Sequence, residues 1–431
     1  MRRFRDDGCG HVAVVTAPPV TSPVGAAVGR RVSRAPLLGR STALDGLRGL
    51  ALCWVVIYHF TGADSIFPGA WIGLDIFFVL SGFLITAMLL DERRARGRVS
   101  LPLFYARRAC RLLPALLVML GVWTAMLLAF HDTTWFAATP GTPLPGSPVE
   151  LGGAFQQLGI TLAYGANWIY ALDSGMAPLA HLWSLAVEEQ FYIVWPFVLL
   201  GLVLALRARA RLAVVLGLAA VSAALPFLYW DGGAGGDRIY FGTDTRAVGM
   251  LLGAAAALAW HRRRALGAGM ARWAGPRAWA GLAVVGVFLF AVGNGPVKFV
   301  VGPAVMGLAA MQVVPYLVDA PGSVLARFFD LRVLVWLGQR SYAVYLWHYL
   351  FATWLRPLPE VVYVPVGIAA SLLVAHLSWV LVESRVLRWG KRFRPVPTSR
   401  PQPVLAEGTT AVTTADDVDR RAARSTARQA A

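Results

Sequence analysis

Apolar residues in this chain gather in runs too long for the helices of a water-soluble core. They recur near 43–61, 70–90, 112–130, 183–206, 211–230, 245–261, 279–293, 298–318, 333–355 and 361–383. At 1.5 Å per residue, about 20 residues of α-helix cross the hydrocarbon layer of a bilayer, and a helix satisfies its own backbone there. The pattern predicts an all-α, polytopic integral membrane protein with about ten transmembrane helices. One further apolar piece, Leu158 to Leu172, is too short to cross and lies in a long stretch rich in Pro and Gly. It is expected to be re-entrant or interfacial.

Polar positions orient the spans. Arg93, Arg94, Arg96, Arg98, Arg107, Arg108 and Arg111 share one link, Arg207, Arg209 and Arg211 the next, and Arg262, Arg263 and Arg264 another, whereas 61–70 and 131–182 hold no Lys or Arg. The positive-inside rule then places both termini in the cytoplasm of a multi-pass plasma-membrane protein. Residues 1–42 and 386–431 read as disordered cytoplasmic tails flanking one membrane domain, 43–385. Val12 to Val15 is too short an apolar core for a signal peptide.

Composition agrees: of 431 residues, 57% are hydrophobic and 15% charged. A net charge of +17 suggests nucleic acid until its distribution is considered; confined to links between spans, it is topological, and no nucleic-acid partner is expected. Cys9, Cys53 and Cys110 form neither a disulfide framework nor a metal-ligand pattern, and no metal is expected.

Ionisable residues inside spans are costly, at about 2.5–3.5 kcal/mol for a central Arg or Asp, so they mark candidate chemistry. The first span carries Asp45, Arg48 and His59. Arg48 and His59 are eleven residues apart, which places them on one helix face about 16 Å apart along the axis. They are two stations on one path rather than a bonded pair. With the predicted orientation, His59, Asp75, Glu188, Glu189, Asp244, Arg246, Tyr345 and His348 gather in the outer half, while Arg107, Arg108 and Arg111 stay inside. An imidazole near a carboxylate can take a proton from a hydroxyl and return it to a leaving group. Guanidinium forks suit an anionic, phosphate-bearing donor. His131, His181 and His376 are expected to have no catalytic part, and Asp244 and Arg246 are either a structural ion pair at the outer mouth or part of the site. Asp45 is the nearest available partner for Arg48.

These motifs together resemble the acyltransferase family 3 integral-membrane proteins, which modify bacterial surface polysaccharides, peptidoglycan and macrolides. The likeness rests on Arg48 with His59, Gly73-Leu-Asp75-Ile-Phe-Phe-Val-Leu-Ser81-Gly82, and Arg108-x-x-Arg111-x-x-Pro114. It extends through Trp183-Ser-Leu-Ala-Val-Glu188-Glu189-Gln190, Gly242-Thr-Asp244-Thr-Arg246, and Ser341-Tyr342 to His348. The resemblance implies transfer of an acyl group, commonly acetyl from acetyl-CoA, to a hydroxyl of an extracytoplasmic or lipid-linked glycan or a secreted small molecule. In that picture His59 is the catalytic base or acyl relay and Glu188 belongs to the same centre. Arg48, Arg108 and Arg111 position the donor, with Asp75, Glu189, Asp244, Arg246, Tyr345 and His348 in support. No permanently bound cofactor is implied; the partners are acyl-CoA, the acceptor and membrane lipids. Where the family ends on Val-Glu-x-Pro, this chain reads Val382-Glu383-Ser384-Arg385, an expected local loss of rigidity. No C-terminal esterase-like domain is seen, so the acceptor is expected to be met directly or through a partner. The rival reading is a proton-coupled transporter or flippase, which would use the intramembrane carboxylates and histidine as a proton relay.

Overall fold

The computed structural model describes residues 37–39, 41–62, 67–130, 151–172, 179–232, 236–293 and 295–390. All regular structure among the described residues is helical. The chain runs α1 (Thr42–Thr61), α2 (Ile72–Arg96), α3 (Leu101–Phe130), α4 (Leu151–Leu162), α5 (Ala166–Leu172), α6 (Trp183–Phe197), α7 (Ala208–Tyr229) and α8 (Gly236–Phe241). It continues through α9 (Thr243–Ala265), α10 (Ala274–Ala291), α11 (Gly302–Asp319), α12 (Val324–Phe329), α13 (Arg332–Gln339), α14 (Ser341–Trp354), α15 (Glu360–Ser378) and α16 (Ser384–Gly390).

Among the described residues, 8 helical stretches are long and apolar enough to cross a membrane. They are α1, α2, α3, Ala180–Ala205 around α6, α7, α10, Val297–Asp319 around α11, and Glu360–Gly390 through α15 and α16. Each coincides with a run read from the sequence. The two remaining runs differ for separate reasons. Residues 245–261 lie in α9, a 23-residue helix whose ends carry Asp244, Arg246 and Arg262–Arg264. Residues 333–355 are not one helix: α13 and α14 part at Arg340, whose guanidinium donates to the Trp336 carbonyl at 3.2 Å and to His376 Nδ1 at 3.3 Å.

The apolar piece 158–172 also divides, into α4 and α5, at Tyr164 with its positive φ of 55°. Side-chain amides sew α5 to the bundle. Gln190 on α6 donates to Asn167 Oδ1 at 2.8 Å, and Asn167 donates to the Phe241 carbonyl at 3.0 Å.

The centre of the bundle is the α2–α9 crossing. A Cβ on Gly82 would collide with the Met250 carbonyl, and one on Gly253 with that of Val79. Only glycine permits backbones this close. Two turns earlier on both helices, the same approach leaves room for Asp75 to meet Arg246.

Most of the predicted tails, 1–36 and 391–431, lies outside the described residues, and the described edges are ordered. Leu37 and Leu38 donate their amides to Asp91 at 3.0 and 2.8 Å, tying the entry to α1 against the end of α2. At the other end Arg385 stands inside α16, where a proline would have broken the backbone ladder. The helix runs on to Gly390.

Candidate active site

Two cavities lie back to back within the bundle. The first is lined by Arg48, Arg108, Arg111, Ser81, Glu188 and Tyr192 among others, the second by His59, His181, Lys298, Tyr58, Tyr240 and Tyr349 among others. Leu74 and Tyr345 line both and so form the partition.

At the histidine cavity, backbone carbonyls fix the imidazole of His59, which lines it, and that of His348 beside His59. His59 Nδ1 lies 2.8 Å from the Val55 carbonyl one turn back, and His348 Nδ1 lies 2.7 Å from the Tyr345 carbonyl. A carbonyl oxygen only accepts, so each Nδ1 carries the proton. His348 Nε2, 3.2 Å from His59 Nδ1, is then the second acceptor of the His59 proton. This leaves His59 Nε2 as a bare lone pair, with no hydrogen-bond partner among the described residues, on a ring that lines the cavity. That is the atom a general base or an acyl carrier needs. The orienting group is His348 rather than a carboxylate.

Lys298 enters the same cavity from the turn before α11. It is buried, at 5% exposure, and donates to Tyr58 Oη at 3.0 Å. Its ammonium also lies 4.9 Å from the Tyr240 ring centroid. Sequence reasoning missed it because a lone lysine at the start of an apolar span reads as an interfacial anchor. His181, set aside from the sequence, also belongs here. Its Nε2 lies 3.2 Å from the Leu346 carbonyl, its ring stacks on Tyr349 at 4.7 Å, and its buried Nδ1 has no partner. His376 sits elsewhere, beside Arg340, and His131 lies outside the described residues.

In the arginine cavity the cations divide. Arg108 is fixed: its Nε donates to Glu189 Oε2 at 2.9 Å, a second fork contact reaches Glu189 Oε1, and the Tyr192 ring lies 3.2 Å from its Cζ. Arg48 and Arg111 form no hydrogen bond or ion pair among the described residues. The Asp45 partnership considered for Arg48 is absent. Glu188 accepts from Ser81 Oγ at 2.7 Å and faces this cavity, not that of His59. Glu189, expected in support, is buried and ion-paired to Arg108.

The mouth pair is also re-partnered. Asp244 binds Arg238 through both oxygens, at 2.9 and 2.7 Å. Arg246 reaches Asp75 at 2.8 Å, 171 residues away, with both groups buried. This bridge locks α2 to α9 beside the histidine cavity. Tyr345 Oη, on the partition, lies 2.5 Å from Ser184 Oγ and donates to the His181 carbonyl.

An imidazole in one cavity and two guanidinium groups without an ion pair in the next are the kinds of group that a group-transfer protein of the bilayer needs. Comparison with known proteins sharpens this. A family model described as an acyltransferase domain matches residues 41–380, and the chain belongs to that acyltransferase family. It is 31% identical over 372 residues to the peptidoglycan O-acetyltransferase OatA of Listeria monocytogenes, covering 81% of this chain and 56% of that protein. It is 32% identical to the putative peptidoglycan O-acetyltransferase YrhL of Bacillus subtilis, covering 81% of this chain and 55% of the relative. The putative O-acetyltransferase SAR0937 of Staphylococcus aureus is 29% identical over 82% of this chain and 59% of its own length. The chain thus spans little more than half the length of these relatives. No solved structure matches.

Proposed function

We propose that this protein is a plasma-membrane O-acyltransferase. It takes an acyl group, most simply acetyl, from a CoA thioester at the arginine-rich cytoplasmic end and passes it to a hydroxyl of a cell-wall or lipid-linked glycan. In this reading α9 and the α13–α14 pair complete ten crossings, with both termini cytoplasmic. The carrying observation is the pair of abutting cavities: guanidinium groups without carboxylate partners on one side of Leu74 and Tyr345, an imidazole with a bare Nε2 on the other.

Arg48 and Arg111 hold the donor phosphates, with Arg108 braced by Glu189 behind them. The spacing of about 16 Å between Arg48 and His59 along α1 suits the extended pantetheine arm that separates phosphates from sulfur in CoA. The acceptor hydroxyl gives its proton to His59 Nε2 as its oxygen bonds to the thioester carbonyl carbon. Collapse of the tetrahedral oxyanion breaks the C–S bond, and the proton on Nε2 goes to the leaving thiolate. An acyl-imidazole on Nε2, formed first and then attacked by the hydroxyl, balances equally well. The Lys298 ammonium, steadied by Tyr58, stabilises the oxyanion in either order. A proton relay of the transporter type is disfavoured because Asp75 and Glu189 are each held by an arginine.

The test uses purified protein in lipid nanodiscs with radiolabelled acetyl-CoA, wild type beside His59→Ala. Release of free CoA, or label on the protein, by the wild type alone supports the proposal. A folded wild type that consumes neither acetyl-CoA nor a longer acyl-CoA rules it out.

A further inference from the structure

A third cavity, of about 510 Å³, lies away from both chambers at the arginine-rich end of the bundle. Its walls are the end of α2 (Leu90), the start of α7 (Ala208, Arg211, Leu212), and the end of α9 with the turn after it, from Leu258 through Arg262 and Arg263 to Ala268. The cations around it are mostly pre-set. Arg211 donates to the carbonyls of Leu206 at 2.9 Å and Leu204 at 3.0 Å, which fixes its guanidinium at the rim. Arg263 and Arg264 share one carboxylate, Asp319, and His261 stands 3.3 Å from Asp91. The Arg262 side chain is exposed and forms no hydrogen bond or ion pair among the described residues. Of the three guanidinium groups that line the cavity, only Arg263 meets a carboxylate, leaving the site cationic.

The rest of the cavity is apolar, and that apolar surface continues into the bilayer. Leu212 is followed one turn on by Leu216, which is 39% exposed on the outer face of α7, with Phe227 exposed further along the same helix. A soluble anion has no use for such a stripe; an amphiphile does. From this geometry we infer that the α7–α9 cavity binds an anionic glycerophospholipid. Its headgroup phosphate lies between Arg211 and Arg262, and an acyl chain runs along Leu212 and Leu216. Basic pockets between membrane helices recognise headgroups in this way, through guanidinium forks that match phosphate oxygens. The bound lipid bridges the ends of α7 and α9. None of this depends on the acyl-transfer reading.

Native mass spectrometry of the delipidated full chain tests the inference, with phosphatidylglycerol and phosphatidylcholine of identical chains added in turn. Phosphatidylglycerol is expected to bind about tenfold more tightly. Arg262→Glu should abolish that preference, while Arg209→Glu, the same charge change at an exposed neighbour outside the cavity, should preserve it. Equal binding of the two lipids, or equal damage from both substitutions, overturns the proposal in favour of a diffuse basic surface. Displacement of phosphatidylglycerol by an equal concentration of glycerol 3-phosphate overturns it in favour of a site for soluble phosphates.

Discussion

The two abutting cavities hold their functional groups by opposite means. In the arginine cavity a carboxylate does the holding: Glu189 grips Arg108, and Arg48 and Arg111 are left with charge to offer. In the histidine cavity the backbone does it, through the carbonyls of Val55 and Tyr345. A fork held by a carboxylate is oriented while its neighbours attract anions, which suits binding. An imidazole held by carbonyls has its tautomer fixed and its other nitrogen freed, which suits proton transfer. On the proposed function, one cavity binds and the other reacts.

Substitutions can break that division. The largest effect is expected from His59→Ala, which removes the imidazole whose Nε2 is left without a hydrogen-bond partner once Nδ1 donates to the Val55 carbonyl; acetyl-CoA turnover should fall by about 10³-fold, within the range for a general base, with donor binding unchanged by calorimetry. Lys298→Met should lower kcat by about 10²-fold, as for loss of one oxyanion donor, with partial recovery in Lys298→Arg. Arg48→Ala and Arg111→Ala should each raise KM for acetyl-CoA by about tenfold, the scale of one charge-assisted contact, and leave kcat near wild type. Tyr345→Phe, on the partition, loses only hydrogen bonds to Ser184 and the His181 carbonyl. A several-fold fall in kcat, about 1 kcal/mol, is expected in steady-state assays.

Much of this was legible along the chain because a membrane helix announces itself by length and hydropathy. Where legibility failed, packing had intervened. Arg340 interrupts an apolar run that reads as one span, and its bonds to Trp336 and His376 show how the break is satisfied. The candidate cavities were legible where motif residues line them, as for His59, Glu188 and Arg111. It was not legible where partners are chosen across the fold. Arg246 looks matched to Asp244 two residues before it, but the glycine-mediated approach of α2 to α9 delivers Asp75 instead. Lys298 and His181 carry no motif that separates them from anchors and fillers. Only their shared cavity with His59 does so.

The most direct test of the division between binding and reaction is a saturation curve for acetyl-CoA consumption in nanodiscs, taken for wild type, His59→Ala and the Arg48→Ala/Arg111→Ala double variant. At saturating donor the arginine variant should approach the wild-type rate while His59→Ala stays near background. If instead the arginine variant stays slow at saturation with its KM unchanged, the arginines act on the reacting atoms, and the assignment of one cavity to each task is wrong.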